Sequence, residues 1–248
     1  MSGGVHLQEV FSSVQGEGPL VGCRHIFIRL AGCNLKCVYC DTPVEPFPPL
    51  WRLEKNPGRR DFITLNNPVE AASLAAVLSD HYQLNLHHAV SLTGGEPLLH
   101  TPFLKQLLPL IGGTRAGILL ETNGTLPDQL ASLLDSLDII SMDIKLASAT
   151  GQPTPWAVHK KFLAVAAQKQ VYVKVVISEH TTESEIEQTG RLIESINPQI
   201  ELILQPVSAG GGVVAPAVDK VLRLQECALK ILPGVRVIPQ THLMMGQL

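Results

Sequence analysis

The segment HIFIRLAGCNLKCVYC, residues 25–40, joins an apolar run of strand length to three closely spaced cysteines. Its first part, His25–Leu30, predicts a strand. Cys33, Cys37 and Cys40 follow where this strand ends. Ligands of parallel α/β sheets bind at the carboxyl ends of the strands, so the segment predicts a site there.

The rest of the chain alternates strand-like and helix-like segments. Six further strands are predicted, at Ala89–Thr93, Gly117–Glu121, Ile139–Asp143, Val171–Ile177, Glu201–Gln205 and Val235–Pro239. Helices are predicted at Pro68–Leu84, Pro102–Leu110, Asp128–Leu134, Ala157–Gln168, Thr182–Ile196 and Asp219–Leu232. Asn67 is the predicted N-cap of the first helix, and Pro68 is its first residue. This alternation predicts an α/β fold with a parallel sheet, either an incomplete (βα) barrel of about six strands or an open sheet.

Length and composition fit one α/β domain over residues 1–248. Apolar residues make up 45% of the 248 residues, charged residues make up 17%, and the net charge is −3. No strongly basic face follows from this charge, so a nucleic-acid partner is not expected. No apolar segment is long enough to cross a bilayer, and the first ten residues lack the pattern of a signal peptide. We therefore expect a cytoplasmic protein that does not insert into membranes.

One stretch, Pro43–Leu65, fits the alternation poorly. It contains five prolines and several charged residues, and it is long for a connection. We interpret it as a surface insertion, with a functional loop as the alternative.

The five cysteines do not suggest disulfides, because their number is odd and three of them lie within eight residues. Thiolates bind soft metals and iron–sulfur clusters. A [4Fe–4S] cluster normally takes four cysteines, so one held by three keeps an iron open for a ligand. The alternative is a zinc site with a fourth ligand such as His25, although zinc modules more often repeat a CxxC pair at a distance.

Polar residues at the ends of later strands extend the predicted site. In LTGGEP, at residues 92–97, Gly94 and Gly95 permit close approach of the backbone to a ligand, and Glu96 offers a carboxylate to an ammonium group.

The segment SMDIK, which ends the fourth predicted strand, places Ser141, Asp143 and Lys145 on one face. A buried parallel strand should not carry three polar side chains on one face without partners. We interpret them as facing a ligand; an internal ion pair between Asp143 and Lys145 is the alternative. Lys174 and Gln205, in later strands, extend the same argument.

The CxxxCxxC spacing resembles that of the radical S-adenosylmethionine (SAM) superfamily, in which SAM chelates the open iron. Four further segments occur in order with it, namely SVQGEG, CDT, LTGGEP and SMDIK, together with a strand that ends near Arg29. The series closely resembles the 7-carboxy-7-deazaguanine synthases over roughly Val10–Val207.

This resemblance implies the incomplete barrel of radical SAM enzymes. It also implies conversion of 6-carboxy-5,6,7,8-tetrahydropterin to 7-carboxy-7-deazaguanine with loss of ammonia, a carbon–nitrogen lyase reaction of queuosine and 7-deazapurine biosynthesis. The implied cofactors are a [4Fe–4S] cluster, SAM and Mg²⁺. The implied partners are a reductant such as flavodoxin or ferredoxin and a second copy of the chain in a homodimer.

The resemblance also assigns site residues. Cluster binding is implied for Cys33, Cys37 and Cys40, and Mg²⁺ binding for Thr42. Substrate contacts are implied for Val14, Gln15, Gly16, Arg29 and Thr93. SAM contacts are implied for Tyr39, Gly94, Gly95, Glu96, Ser141, Asp143, Lys145 and Gln205. The residue types suit these roles, since a Gln amide pairs with the amide edge of a pterin and an Arg can hold a carboxylate in bidentate fashion.

In the family the C-terminal tail closes over the substrate. Here the tail reads PQTHLMMGQL, in which Gln240 and His242 match the family and Leu243 stands where Lys is frequent. The sequence does not determine whether the terminal carboxylate of Leu248 reaches the substrate.

Two other functions remain open. A glycyl-radical-enzyme activase shares the cysteine motif and the GGEP-like turn but acts on a protein. The second alternative is a zinc-binding module without catalytic activity. The QGEG segment together with Arg29 favours the small pterin substrate.

Overall fold

The computed structural model describes residues 4–40, 42, 45–208 and 213–246. Within these residues, ten strands form one sheet: β1 (Leu7–Val14), β2 (Arg24–Leu30), β3 (Leu50–Glu54), β4 (Phe62–Asn66), β5 (Ala89–Gly94), β6 (Ile118–Thr122), β7 (Ile139–Asp143), β8 (Gln170–Ile177), β9 (Leu202–Pro206) and β10 (Val235–Val237). The α-helices of the same residues are α1 (Ala71–His81), α2 (Thr101–Leu107), α3 (Pro127–Ala131), α4 (Ala147–Thr150), α5 (Trp156–Ala166), α6 (Glu183–Glu194), α7 (Val218–Leu229) and α8 (Thr241–Met244). None of these described helices combines the length and the apolar character that a bilayer span requires.

Most of the described sheet is parallel. Its strands β2, β5, β6, β7, β8, β9 and β10 are neighbours in that order and run in one direction. β1 pairs antiparallel with β2, and the β3–β4 hairpin continues the sheet beyond β1. β4 and β10 stand at opposite ends of the strand order, so the sheet is not closed. The predicted incomplete (βα) barrel is confirmed.

Alternate residues of the parallel strands face different environments. Those on one face, such as Leu92 and Leu120, belong to the main core, which also includes buried residues of the helices. On the opposite face, residues near the beginnings of the strands form a second apolar cluster, made of Ala89, Leu119, Ile139, Tyr172 and Ile203. Polar residues follow these along the strands, so this cluster is the floor of a space that opens at the carboxyl ends.

The seven predicted strands are present, with bounds that differ by at most two residues at either end. β1 is not among the strands that the sequence predicts. β1 carries buried polar residues, among them Glu9, Ser12 and Ser13. Their partners come from elsewhere in the sequence, so local hydrophobicity does not indicate a strand here.

The predicted start of the first helix is wrong. α1 begins at Ala71, its N-cap is Glu70, and the Asn67–Pro68 peptide bond is cis. The Asn67 side chain instead accepts a hydrogen bond from Leu7 N and donates one to Leu7 O. Asn67 therefore holds this segment against β1 rather than capping a helix.

Part of the stretch interpreted as a surface insertion belongs to the sheet, as β3 and most of β4. β3 pairs in parallel with β1, β4 pairs antiparallel with β3, and Trp51 and Leu53 are buried. The described prolines of this stretch lie outside both strands, where they remove no hydrogen bond from the ladder. Pro43 and Val44 lie outside the described residues.

Candidate active site

A cavity of about 620 Å³ lies at the carboxyl ends of the parallel strands. Every predicted site residue lines it except Glu96. The β3–β4 hairpin at the edge of the sheet (the edge hairpin) adds Arg52 and Arg60 to the wall. The described residues after β10 (the C-terminal segment) add Gln240 and His242. The motifs that are scattered along the sequence therefore converge on one space.

A row of polar side chains crosses the cavity face of the sheet. Its members on neighbouring strands are register partners, and between β5 and β6 the Thr93 hydroxyl donates to Glu121 Oε2 over 2.7 Å. In strand order the row consists of Arg52, Glu9, Arg29, Thr93, Glu121 and Ser141. Because side chains alternate with a period of two, a one-residue slip of any strand would turn its member away from the cavity.

Gly94 and Gly95 let the end of β5 approach the backbone that precedes the first cysteine. A Cβ atom on Gly94 would lie 2.2 Å from Leu30 O, and one on Gly95 would lie 1.9 Å from Gly32 O. Gly94 also has a φ of +126°, which favours glycine. Larger residues would push away the loop that carries Cys33.

Glu96 binds protein groups behind the cavity wall. Its Oε1 accepts hydrogen bonds from Leu98 N (3.1 Å) and Thr122 Oγ1 (2.9 Å), and its Oε2 accepts one from Asn123 N (2.8 Å). Burial raises the pKa of Glu96 to about 7, although these donors oppose the shift. The carboxylate thus joins the ends of β5 and β6, and its contact with the ammonium group of SAM stays a prediction.

His159, in α5, supports the loop after β6. Its Nδ1 lies 3.0 Å from Gly124 O, and Lys145 N lies 3.3 Å from its Nε2. A carbonyl only accepts and an amide N–H only donates, so the ring is neutral and carries its proton on Nδ1. Burial lowers the pKa of His159 to about 4, in agreement with this assignment.

Lys145 connects β7 to the loop that carries Cys33, Cys37 and Cys40 (the cysteine loop). Its Nζ donates to Asp143 Oδ2 (2.8 Å) and Tyr39 Oη (2.9 Å). Burial alone would lower the pKa of Lys145, but Asp143, Tyr39 and Cys37 together more than offset this effect and hold the pKa above its ordinary value. A charged Lys145 therefore holds Tyr39, the residue before Cys40, against the end of the strand.

Glu17, in the QGEG segment, accepts hydrogen bonds from three other parts of the chain. Lys174 pairs with its Oε2, and Gln205 Nε2 (3.1 Å) and Gln240 Nε2 (2.8 Å) donate to its Oε1. Burial would raise the pKa of Glu17, but Lys174, Gln240 and His242 together outweigh this effect and the pKa falls to about 2. The QGEG segment, β8, β9 and the C-terminal segment thus meet at one anionic carboxylate.

Glu121 lies within the polar row and was not predicted from the sequence. Its Oε1 accepts a hydrogen bond from Gln15 Nε2 (2.8 Å), and its Oε2 accepts the one from Thr93. Both donors are predicted substrate ligands. Its place at the end of a parallel strand is the signal that could have identified it, since the same signal selected Ser141. Glu9 and Glu17 were also missed.

Arg29 is held in place by two residues of the cavity. Its Nε donates to Glu9 Oε1 (2.9 Å) and its Nη1 to Thr42 Oγ1 (3.3 Å). The guanidinium also lies 5.7 Å from the centre of the Phe11 ring. A guanidinium has five N–H donors, so this side chain can bind an anion in addition to these partners.

The cysteine loop fits an iron–sulfur cluster better than zinc. Cys33, Cys37 and Cys40 all line the cavity. His25, the candidate fourth zinc ligand, is buried at the opposite end of β2, with Nδ1 2.7 Å from Ser91 Oγ.

Two buried acceptor atoms of the cavity residues, Asp143 Oδ1 and Gln205 Oε1, have no hydrogen-bond partner among the described residues. Buried polar atoms normally have one. Both residues are predicted SAM contacts, and SAM carries ammonium and ribose hydroxyl donors. These residues therefore fit a bound SAM.

Comparisons with known proteins agree with this geometry. The family model described as "Radical SAM superfamily" matches residues 27–193. A curated 7-carboxy-7-deazaguanine synthase of Geobacter sulfurreducens is 44% identical over 247 residues, which cover 99% of this chain and 98% of that protein. The chain belongs to the 7-carboxy-7-deazaguanine synthase family. A relative with the same name from Methanothermobacter thermautotrophicus is 33% identical over 257 residues, which cover 96% of this chain and 96% of that protein.

Solved structures share the fold. The crystal structure of QueE from Escherichia coli matches with a TM-score of 0.56 and 21% identity, over 96% of this chain and 95% of that one. A radical SAM methyltransferase from Sphaerobacter thermophilus matches with a TM-score of 0.59 and 11% identity, over 94% and 77%.

Family membership makes this chain a radical SAM enzyme that uses a [4Fe–4S] cluster and SAM. It favours the small-molecule enzyme over the activase and the zinc module.

Proposed function

We propose that this enzyme converts 6-carboxy-5,6,7,8-tetrahydropterin to 7-carboxy-7-deazaguanine with loss of ammonia, in queuosine and 7-deazapurine biosynthesis. The observation that carries the proposal is the 44% identity, over nearly the full length of both chains, to the Geobacter sulfurreducens enzyme. The cavity volume of about 620 Å³ is within the usual range for small-molecule sites.

The cluster is proposed to bind Cys33, Cys37 and Cys40. SAM is proposed to lie between the cysteine loop and the ends of β5, β7 and β9. When bound, the reduced cluster and SAM supply the radical that begins the ring contraction. Asp143 and Gln205 offer the unpartnered acceptors described above, and Lys145 holds Tyr39, and with it the cysteine loop, against the end of β7.

The polar row is proposed to orient the pterin. Arg29 and Glu121 are separated by two strand spacings, roughly 10 Å between backbones. The pterin carries its carboxylate at C6 and its aminopyrimidinone donors at the other end. The guanidinium of Arg29 suits the first group, and the carboxylate of Glu121 suits the second. Gln15 and the backbone of Val14 and Gly16 supply further contacts.

Mg²⁺ is proposed to bind at Thr42. The hydroxyl of Thr42 lies 3.3 Å from Arg29 Nη1, which puts it beside the proposed position of the substrate carboxylate. Mg²⁺ in such sites keeps several waters and shares oxygens of the substrate, so one hydroxyl from the protein suits it.

The C-terminal segment is proposed to limit access of water. Thr241 N donates to Gly16 O over 2.9 Å, and His242 and Leu243 line the cavity. Leu248 lies outside the described residues.

A reductant such as flavodoxin or ferredoxin and a homodimeric assembly are proposed on the similarity to the family.

Anaerobic turnover tests the proposal. The protein is reconstituted with iron and sulfide and incubated with SAM, Mg²⁺, reductant and 6-carboxytetrahydropterin, and the product is followed by mass spectrometry. We expect 7-carboxy-7-deazaguanine. Cleavage of SAM without this product would contradict the assigned substrate, and activation of a partner protein without pterin would indicate the activase.

The variant Cys37→Ala, compared with the control Cys227→Ala, tests the assignment of the cluster ligands. Alanine offers no replacement for the thiolate, so we expect this variant to lose the visible absorbance of the cluster and all turnover. A second variant, Cys227→Ala, removes a cysteine that lies outside the cavity wall and should retain both.

A further inference from the structure

Arg52, on the edge hairpin, lines the cavity beside the polar residues of the parallel sheet. We propose that Arg52 is a second guanidinium for the carboxylate of the pterin and that it sets the preference for carboxylated pterins. This inference rests on the proposed function.

The position of Arg52 follows from the register of three strands. Glu9 of β1 is the register partner of Arg29 in β2 and of Arg52 in β3. Glu9 Oε1 accepts from Arg29 Nε, and Glu9 Oε2 accepts from Arg52 Nη2. One carboxylate therefore spans the two guanidinium groups, and a second carboxylate can bridge them in the same way from the cavity side.

Arg52 is held in place before any ligand binds. Its guanidinium carbon lies 4.7 Å from the centre of the Phe62 ring in β4, and Glu9 binds it from the other side. Half of the side chain remains exposed, at 52%, and it faces an open cavity. An arginine that is already ordered loses less conformational entropy when it binds an anion.

The charges at the end of the cavity that Arg29 and Arg52 line favour the binding of an anion. Glu9, which is buried, faces both Arg29 and Arg52, so one positive charge is left in excess. Arg60 also lines the cavity, but the buried carboxylate of Glu54 accepts a hydrogen bond from Arg60 N, so Arg60 is not a further excess charge. At the other end Lys145 and Lys174 face Asp143 and Glu17, and the charges balance. The carboxylate is the part of the pterin that complements the arginine end.

The test compares two stable, fluorescent ligands. Dissociation constants for 6-carboxypterin and for pterin without the carboxylate are measured by fluorescence quenching on the cluster-loaded enzyme with SAM and Mg²⁺. We expect Arg52→Gln to raise the dissociation constant for 6-carboxypterin about tenfold and the one for pterin less than about twofold. Arg52→Lys keeps the charge and should recover part of the loss. Arg59→Gln is the matched control, because Arg59 is exposed on the same hairpin and lies outside the cavity wall.

Equal weakening of both ligands in Arg52→Gln would show that Arg52 only supports the fold of the site, and unchanged binding of both would show that it does not contact the ligand. Either result overturns this inference while leaving the proposed function intact. A wild-type enzyme that makes no 7-carboxy-7-deazaguanine would contradict the proposed function itself.

Discussion

Gln240 Nε2 donates a hydrogen bond to Glu17 Oε1 over 2.8 Å and so joins the C-terminal segment to the loop after β1. Thr241 N donates to Gly16 O in the same loop. Thr241 Oγ1 also lies 3.2 Å from Gly16 O, so two side-chain hydrogen bonds and one backbone hydrogen bond hold the loop after β1 and the C-terminal segment together.

Gly16→Ala should separate these two segments. A Cβ atom at Gly16 would lie 2.0 Å from His242 Nδ1, so His242 must move away. We expect kcat/KM for 6-carboxytetrahydropterin to fall by about tenfold to a hundredfold, since small misplacements of binding groups have effects of this size. Gly112→Ala is the control, because an added Cβ there meets no heavy atom within 4 Å. Unchanged kinetics in Gly16→Ala would contradict a role for the C-terminal segment.

Lys174→Met should destabilise the enzyme, because it leaves Glu17 without its cation. Lys174 is only 11% exposed, and removal of one partner of a buried ion pair costs about 3 kcal/mol in the free energy of unfolding. The double variant Glu17→Gln/Lys174→Met should recover part of this loss. Anaerobic chemical denaturation measures both, with the exposed Lys160→Met as control. If the double variant is less stable than Lys174→Met, the ion pair is not the cause.

Glu96→Gln should lower stability even without SAM. All three described partners of the carboxylate are donors, and the amide of Gln would bring a fourth donor against them. We expect a loss of about 2 kcal/mol, as for other buried groups left without a partner. Glu194→Gln, on the exposed end of α6, should change stability little. Normal stability combined with weak binding of SAM would instead assign the carboxylate to the ligand.

His25 should make the fold sensitive to acid. Burial, with help from His88 and His87, lowers its pKa from 6.5 to about 4. As the pH falls below about 6.5 the unfolded chain takes up this proton first, so stability is complete above that pH and declines until about pH 4. Between pH 7 and pH 5 we expect this group to contribute a loss of roughly 2 kcal/mol. His25→Asn does not titrate and keeps a polar atom for Ser91, so its melting temperature should depend less on pH. An equal dependence would contradict the assignment.

The parallel strands and much of the cavity could be predicted from the sequence, because both depend on local patterns. Ser141, Asp143 and Lys145 alternate with a period of two, and the structure places all three at the cavity. The cysteines follow the end of β2, as their position after an apolar segment predicts.

The remaining features depend on partners that are distant in the sequence. β3 is a strand because it pairs with β1. Its own residues do not predict a strand, because the prolines around it indicate a loop. The bonds of Glu96 come from Thr122 and Asn123, some 26 and 27 residues further on. Glu17 and Glu121 could be recognised only once their strands and loops were brought together.

The edge hairpin also protects the sheet against association with other chains. β1 has eight residues, and without β3 one of its sides would present unpaired N–H and C=O groups. A deletion that shortens this stretch as if it were a dispensable loop would expose that side. We expect such a protein to form intermolecular β-structure, since an open edge of this length is a template for another strand.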